Sequence, residues 1–397
     1  MQLVLAASLV GAVAAFGPIR GSGVARPGSR ELQHGTRGRG LQMQSDLVLA
    51  AMPTIEEWLD VADPKLKKAT LGMFRACKEI AYKIRTASCD KMSCFNDFGD
   101  GSFLPPDAAV VHVATWSICP PLSHSRPLTF YPLSLLAHTE QLAIDILANN
   151  VIFDNLKASG AVATASSEET PTEDPMGGTG YSVAFDPLDG SSIIDTNFAV
   201  GTIWGTWPGD KLTGVTGRGL KAAGMAVYGP RTTITLAIDN MPYAHEFLLV
   251  DDFSAMHGQW IKTNEFMSIG EGKLIAPGNL RATQDNAGYQ ELFNYWVENM
   301  YQLRYTGGMV PDVNQILVKG KGVFVNVNSK KTKSKLRVLY EVAPIGYIIE
   351  KAGGRSSEGE KSVLDIPITT TEVTSQVAFG SADEVARFEK LVGRKYI

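Results

Sequence analysis

Two aspartates stand three residues apart in Phe185-Asp186-Pro187-Leu188-Asp189-Gly190-Ser191-Ser192. Pro187 fixes the backbone between them, so both carboxylates can face one point. Gly190 removes side-chain bulk where the chain must approach a ligand, while Ser191 and Ser192 add hydroxyls and backbone amides. Converging hard oxygens suit magnesium or calcium, and amides beside them suit a phosphate. Taken alone, two acids at an Asp-Pro turn are more often simply solvated. Further acids favour the metal. Glu168 and Glu169 follow Ser167 upstream, and Glu341 sits among apolar neighbours in Leu336-Arg337-Val338-Leu339-Tyr340-Glu341. A carboxylate buried there is costly without a metal or a partner, the alternative being an ion pair with Arg337 one helical turn away.

The elements that must position these acids are legible in outline. Thr54 can cap a helix running to about Arg85, with Leu59, Leu66, Met73, Ile80 and Ile84 as its apolar side and Pro64 as a new start. A second helix spans 140–156, with Leu142, Ile146, Leu147 and Phe153 inward. Tyr181–Asp186 reads as a strand entering the acidic turn, and 232–238 and 245–250 as strands joined across Asp239-Asn240-Met241-Pro242. Beyond Gly270 strands alternate with helices: strands at 273–276, 322–327 and 377–380, helices at 286–299 and 336–352, and a last helix at the C-terminus. The pattern predicts a mixed first domain, 45–267, and an α/β second domain, 268–397.

Composition bounds the rest. The 397 residues are 44% hydrophobic and 20% charged, which excludes a disordered chain. A net charge of −4 argues against nucleic-acid binding by bulk charge. Four cysteines are too few for a disulfide scaffold, and no Cys/His cluster has zinc spacing. No mature segment is long and apolar enough for a membrane helix. Residues 1–44 read as an address: an apolar run from Leu3 to Phe16, then an Arg- and Gly-rich stretch, in the manner of a signal peptide followed by a transit peptide. The other reading is a secretory signal with a linker. Residues 101–139 look foreign to the mature chain. They carry only Asp107 and Arg126 as formal charges, are rich in Pro, Leu and Ser, and follow no helical or strand period. They read as an aberrant insertion, a translated polypyrimidine tract from a retained intron, with a genuine loop insertion as the alternative.

The motif Phe-Asp-Pro-Leu-Asp-Gly-Ser-Ser resembles the signature of the magnesium-dependent sugar phosphatases that include fructose-1,6-bisphosphatase and inositol monophosphatase. Ser-Glu-Glu at 167–169, Arg-Tyr-Thr-Gly-Gly-Met at 304–309, Lys-Leu-Arg-Val-Leu-Tyr-Glu at 335–341 and Glu-Lys-Ala-Gly-Gly at 350–354 extend the likeness over about 54–397, the insertion excepted. Trp207 to Arg218, Tyr228-Gly-Pro-Arg231 and Ala276 to Thr283 resemble the sedoheptulose-1,7-bisphosphatase branch. The resemblance implies a layered αβαβα fold and Mg2+-dependent removal of the 1-phosphate from a sugar bisphosphate in the Calvin cycle. A fructose-1,6-bisphosphatase or dual-specificity enzyme is the nearest alternative, and a non-catalytic metal-binding or redox scaffold the alternative of another class. By position, Glu168, Asp186, the Leu188 carbonyl, Asp189 and Glu341 would hold two or three Mg2+ per subunit. Glu169 would activate the attacking water, with Asp145 near it. The turn Asp189, Gly190, Ser191, Ser192 and Arg337 would face the reacting phosphate. Asn279, Arg304, Tyr305 and Lys335 would hold the distal phosphate and sugar, Arg304 from a neighbouring subunit, which implies a homo-oligomer.

Cys89 and Cys94 flank four residues, Asp90-Lys91-Met92-Ser93. That spacing allows a loop disulfide and equally two unrelated thiols. The resemblance implies a pair reduced by thioredoxin, whose closure weakens metal binding through the segment before Asp145. It also implies the plastid stroma as the destination of the 1–44 presequence. Cys77, on the first helix, reads as core.

Overall fold

The computed structural model of the protein describes residues 52–86, 133–251, 255–394 and 396, with side chains of its second long helix from 144 onward. The presequence, Cys89, Cys94 and residues 101–132 of the insertion lie outside the described residues. The remainder of that insertion, 133–139, forms the start of the second helix rather than irregular chain.

Thr54 caps a short turn, Ile55–Trp58, through a capping box with Glu57. Pro64 then opens the helix Pro64–Thr86, and the Asp63 carboxylate accepts the Lys65 and Leu66 N–H groups at 3.0 and 3.1 Å. The next helix is Leu133–Ser159. Its inward stripe is Asp145, Ala148, Asn149, Ile152 and Leu156, one position round from the expected one, and Ile146 is exposed. Two polar residues in the stripe had disguised it.

The chain continues through β1 (Val162–Ser167), β2 (Asp174–Pro175), β3 (Tyr181–Asp189), β4 (Val200–Pro208), β5 (Ala222–Tyr228), β6 (Thr232–Ile238), β7 (Ala244–Leu249) and β8 (Trp260–Phe266). These form one eight-stranded sheet in the order β2-β1-β3-β4-β5-β6-β7-β8, parallel only between β1 and β3. A second sheet follows with β9 (Gly270–Gly278), β10 (Gln302–Leu303), β11 (Lys321–Asn326), β12 (Arg355–Ser357) and β13 (Val377–Gly380). Its order is β10-β9-β11-β13-β12, with β9, β10 and β11 parallel.

The layers alternate helix, sheet, helix, sheet, helix, as the αβαβα expectation required. Leu66, Phe74, Ile152 and Leu156 of the first two helices pack on Phe185, Trp204, Ile234 and Phe247 of the larger sheet. Helices Met309–Lys319 and Ala343–Lys351 fill the middle layer, with Val310, Ile316, Ile345 and Ile349 between Met225 and Trp207 on one side and Phe324 and Phe379 on the other. Helices Ala287–Glu298 and Ala382–Leu391 cover the far face through Tyr289, Trp296, Val385 and Phe388. Sheets covered on both faces bury every residue of β5 and β6.

The stretch expected as one helix at 336–352 is three things. Arg337 is extended and bridges Thr374, Val338–Val342 forms a π-type turn, and only Ala343–Lys351 is α-helical. That unwound entry aims Glu341.

Candidate metal and phosphate site

The site is built where β1 and β3 end side by side. Ser167 pairs with Phe185 across this parallel pair, and the Glu168 N–H donates to the Phe185 carbonyl at 3.0 Å. Glu168 and Asp186 are thereby neighbours on adjoining strands. The turn carrying Glu168 and Glu169 is held from below: the Ser167 hydroxyl donates to Asn149 Oδ1 at 2.6 Å and accepts the Thr170 N–H at 2.9 Å.

Asp186 and Asp189 pose a parity problem. Residues three apart on a regular strand point to opposite faces. The β3–β4 register solves it: Asp186 pairs with Ile203 and Asp189 with Gly201, so Pro187 and Leu188 together oppose Thr202. This extra residue is a β-bulge, and it turns both aspartates toward one side. Gly201 matters here for space, since a Cβ on it would meet Val310 Cγ1 at 2.3 Å. Its absence lets the N-terminus of the 309–319 helix approach Asp189.

Glu341 completes the cluster. Ligand oxygens of Glu168, Asp186 and Glu341 all lie within 4.8 Å of one another. Asp186 and Glu341 are buried, at 4% and 5% exposure. Burial first, then the neighbouring carboxylates, hold both well above the usual carboxylate range. Burial also raises Glu168, against the pull of the Arg337 guanidinium. The expected alternative, a side-chain pair between Arg337 and Glu341, does not form. Glu341 accepts the Arg337 backbone N–H at 2.6 Å, while the guanidinium reaches Glu168 and, at 3.3 Å, Glu372.

Asp189 stands beside the trio rather than within it. Its Oδ2 accepts the Val310 N–H at 2.6 Å and its Oδ1 the Met309 N–H at 3.3 Å. It thus caps the 309–319 helix, a favourable place for negative charge. Burial still pushes its carboxyl to about 7. Leu188 donates its N–H to Asp186 Oδ1 at 2.9 Å and is buried. Gly190 adopts a left-handed φ of 81° and opens the short turn Ser191–Thr196, whose residues are not buried. Glu169 is exposed at the rim. Asp145 is buried next to it; burial, then the Glu169 charge, raise its carboxyl to about 7, and its Oδ1 has no protein partner.

Three of the distal set lie at one edge of the second sheet. Asn279, Arg304 and Tyr305 directly follow the parallel strands β9 and β10, with the end of β11 beside them. Ligands of parallel sheets bind at such carboxyl edges. Asn279 Nδ2 donates to the Val327 carbonyl at 2.7 Å, and its Oδ1 is buried without a partner. Arg304 and Lys335 are exposed, and Tyr305 is half-exposed.

Two residues escaped the sequence reading. Asp312 is buried, accepts the Thr306 N–H at 2.9 Å, and ties the 304–308 turn to its helix. Arg281 is close enough for its charge to act on Tyr305. Neither belongs to a local cluster that spacing could reveal.

This donor set fits a hard divalent cation. Three carboxylates converge, two of them buried and Glu168 half-buried, the guanidinium that reaches the trio pairs with one of them, and Asp145 offers an unpartnered oxygen alongside.

Known proteins resemble this chain over most of its length. The family model for the fructose-1,6-bisphosphatase N-terminal domain matches residues 136–265, and that for the C-terminal domain matches 269–393. The chloroplastic sedoheptulose-1,7-bisphosphatase of Spinacia oleracea is 50% identical over 342 residues, 85% of this chain and 77% of its own. That of Chlamydomonas reinhardtii is 48% identical over 330 residues, 83% and 74% of the two chains. A class 1 fructose-1,6-bisphosphatase of Trichlorobacter lovleyi is 36% identical over 258 residues, 62% of this chain and 78% of its own. Among solved structures, a Toxoplasma gondii protein provisionally described as a sedoheptulose-1,7-bisphosphatase superposes with a TM-score of 0.67 at 31% identity, covering 86% of this chain and 98% of its own. The chain belongs to the family of sugar bisphosphatases that holds the fructose-1,6- and sedoheptulose-1,7-bisphosphatases.

Proposed function

We propose that this enzyme hydrolyses the 1-phosphate of sedoheptulose 1,7-bisphosphate, giving sedoheptulose 7-phosphate and phosphate in the Calvin cycle. The observation that carries the reading is the convergence of Glu168, Asp186 and Glu341 in a chain about half identical to chloroplastic relatives named for that activity. Magnesium, two or three ions per subunit, is the cofactor we assign. When bound it neutralises phosphoryl charge and acidifies a water.

The chain's own residues do the rest. Glu168, Asp186, the Leu188 carbonyl, Asp189 and Glu341 hold the ions. Glu169, exposed at the rim, accepts the proton of the attacking water at its carboxylate, and Asp145 orients that exchange from the buried side. Arg337 and the Gly190-Ser191-Ser192 turn orient the reacting phosphoryl group. Asn279, Tyr305, Lys335 and a neighbouring subunit's copy of Arg304 grip the distal phosphate, Lys by charge and Arg by its fork.

Further parts of the reading concern the whole chain. We assign 1–44 to a plastid-targeting presequence, 45–267 to the metal and regulatory domain and 268–397 to the sugar-phosphate domain. Cys89 and Cys94 form the pair that thioredoxin reduces, in a homo-oligomeric stromal enzyme. Phosphate release from sedoheptulose 1,7-bisphosphate and fructose 1,6-bisphosphate, measured side by side with Mg2+, tests the assignment. A higher kcat/KM for the seven-carbon sugar is expected. Equal or better use of fructose 1,6-bisphosphate overturns the substrate, and no release from either overturns the activity.

A further inference from the structure

The β3 bulge leaves one backbone group in need of a partner. Inserting an extra residue breaks the ladder locally, and a buried carbonyl without a hydrogen bond is costly. The Pro187 carbonyl, between the two aspartates, finds its partner in a side chain. Thr202 Oγ1 from β4, the residue opposite the bulge, lies 2.8 Å from it. The same hydroxyl lies 2.7 Å from the Tyr228 hydroxyl at the end of β5. Thr202 is fully buried and Tyr228 is 5% exposed.

The chain of bonds has only one direction. A carbonyl can accept but not donate, so Thr202 must give its single proton to Pro187. Its lone pair is then filled by the Tyr228 O–H.

We infer that Thr202, backed by Tyr228, is a positioning residue that pins the Pro187 carbonyl and so fixes the bulge that turns Asp186 and Asp189 toward the metal. The inference rests on the metal reading of those two acids. With the Pro187 carbonyl committed to β4, the bulge keeps its extra residue in place and both carboxylates stay on one side. Without that bond the turn gains alternatives in which the two acids no longer face one point.

The test uses the purified full chain and Mg2+ alone. Thr202→Val keeps the shape and removes the donor; Thr202→Ser keeps the donor. Calorimetric titration with Mg2+ should show affinity falling about tenfold or more in Thr202→Val, the size typical of lost outer-sphere support, and staying within about twofold in Thr202→Ser. Tyr228→Phe should fall between them, since it removes only the second bond. If Thr202→Val does not fold, Thr202→Cys, with a weak thiol donor in a similar volume, carries the same expectation. Mg2+ affinity unchanged in a folded Thr202→Val or Thr202→Cys protein overturns the inference, as does an equal loss in Thr202→Ser. Wild-type protein that binds no Mg2+ overturns the metal reading instead, so the two failures are distinct.

Discussion

Replacing Glu341 by Gln should stabilise the metal-free protein and abolish most of its response to Mg2+. Ligand oxygens of Glu341, Glu168 and Asp186 lie within 4.8 Å of one another. At an effective dielectric of about 20, a pair of unit charges at that spacing repels by roughly 3.5 kcal/mol, so two neighbours set a ceiling of roughly 7 kcal/mol. Proton uptake by the buried acids and the Arg337 pairing with Glu168 relieve much of this. An amide oxygen can still accept the Arg337 N–H, so that bond survives the change. A net gain of about 1–3 kcal/mol in chelator is expected, seen as a Tm about 2–6 °C higher. With Mg2+ at a thousand times its Kd, the wild type gains about 4.1 kcal/mol and the variant little. The assay is thermal unfolding of both proteins in EDTA and in Mg2+, where the order of the two Tm values should invert. A variant less stable than wild type in EDTA, or one that gains as much from Mg2+, would refute the idea that these acids repel one another until a cation joins them.

Other perturbations probe other parts. Glu169→Gln should keep the wild-type Tm and lose more than ~10²-fold in kcat, because Glu169 is exposed and its role is in the proton transfer; a variant retaining half the rate would contradict that role. Lys335→Ala should raise KM for the bisphosphate about tenfold with kcat little changed, and a fall in kcat alone would place Lys335 at the reacting end instead. His245 is buried against Trp58, with ring centroids 4.8 Å apart, and burial lowers its pKa. A histidine favoured neutral in the folded state supports stability above its unfolded pKa of about 6.5, and that support is lost as pH falls through the lower folded value. Wild type should therefore lose more Tm than His245→Phe between neutral and mildly acidic pH; parallel curves would count against it. Cys89→Ser should leave activity at low Mg2+ indifferent to reductant, whereas a response equal to wild type would remove the pair from regulation.

The parts of the site that were legible in the sequence are those where chemistry is dense along the chain. Asp186 to Ser192 announces itself because turn residues and acids alternate within one motif. Glu341 stood out by its apolar neighbours. What spacing could not show was how Glu341 is aimed, because a π-type turn in place of a helix start sends Arg337 toward Glu168 and Glu372. The fully buried β6 was legible from its run of β-branched residues, whereas β4 and β5 were missed because Gly and Ala break up theirs. The 309–319 helix hid behind Gly307, Gly308 and Pro311, residues that usually punctuate loops. Asp145 was placed by resemblance, and its burial follows from sharing a helical stripe with Ala148 and Ile152.

The account stands most directly on where divalent ions go. Diffraction from crystals grown with Mn2+ in place of Mg2+, recorded at the manganese edge, locates them without any assay. The prediction is strong anomalous density bounded by the carboxylates of Glu168, Asp186 and Glu341, with Asp189 drawn toward it. Manganese bound elsewhere on the protein, with Glu168 still paired to Arg337 and no ion among the three carboxylates, would contradict it.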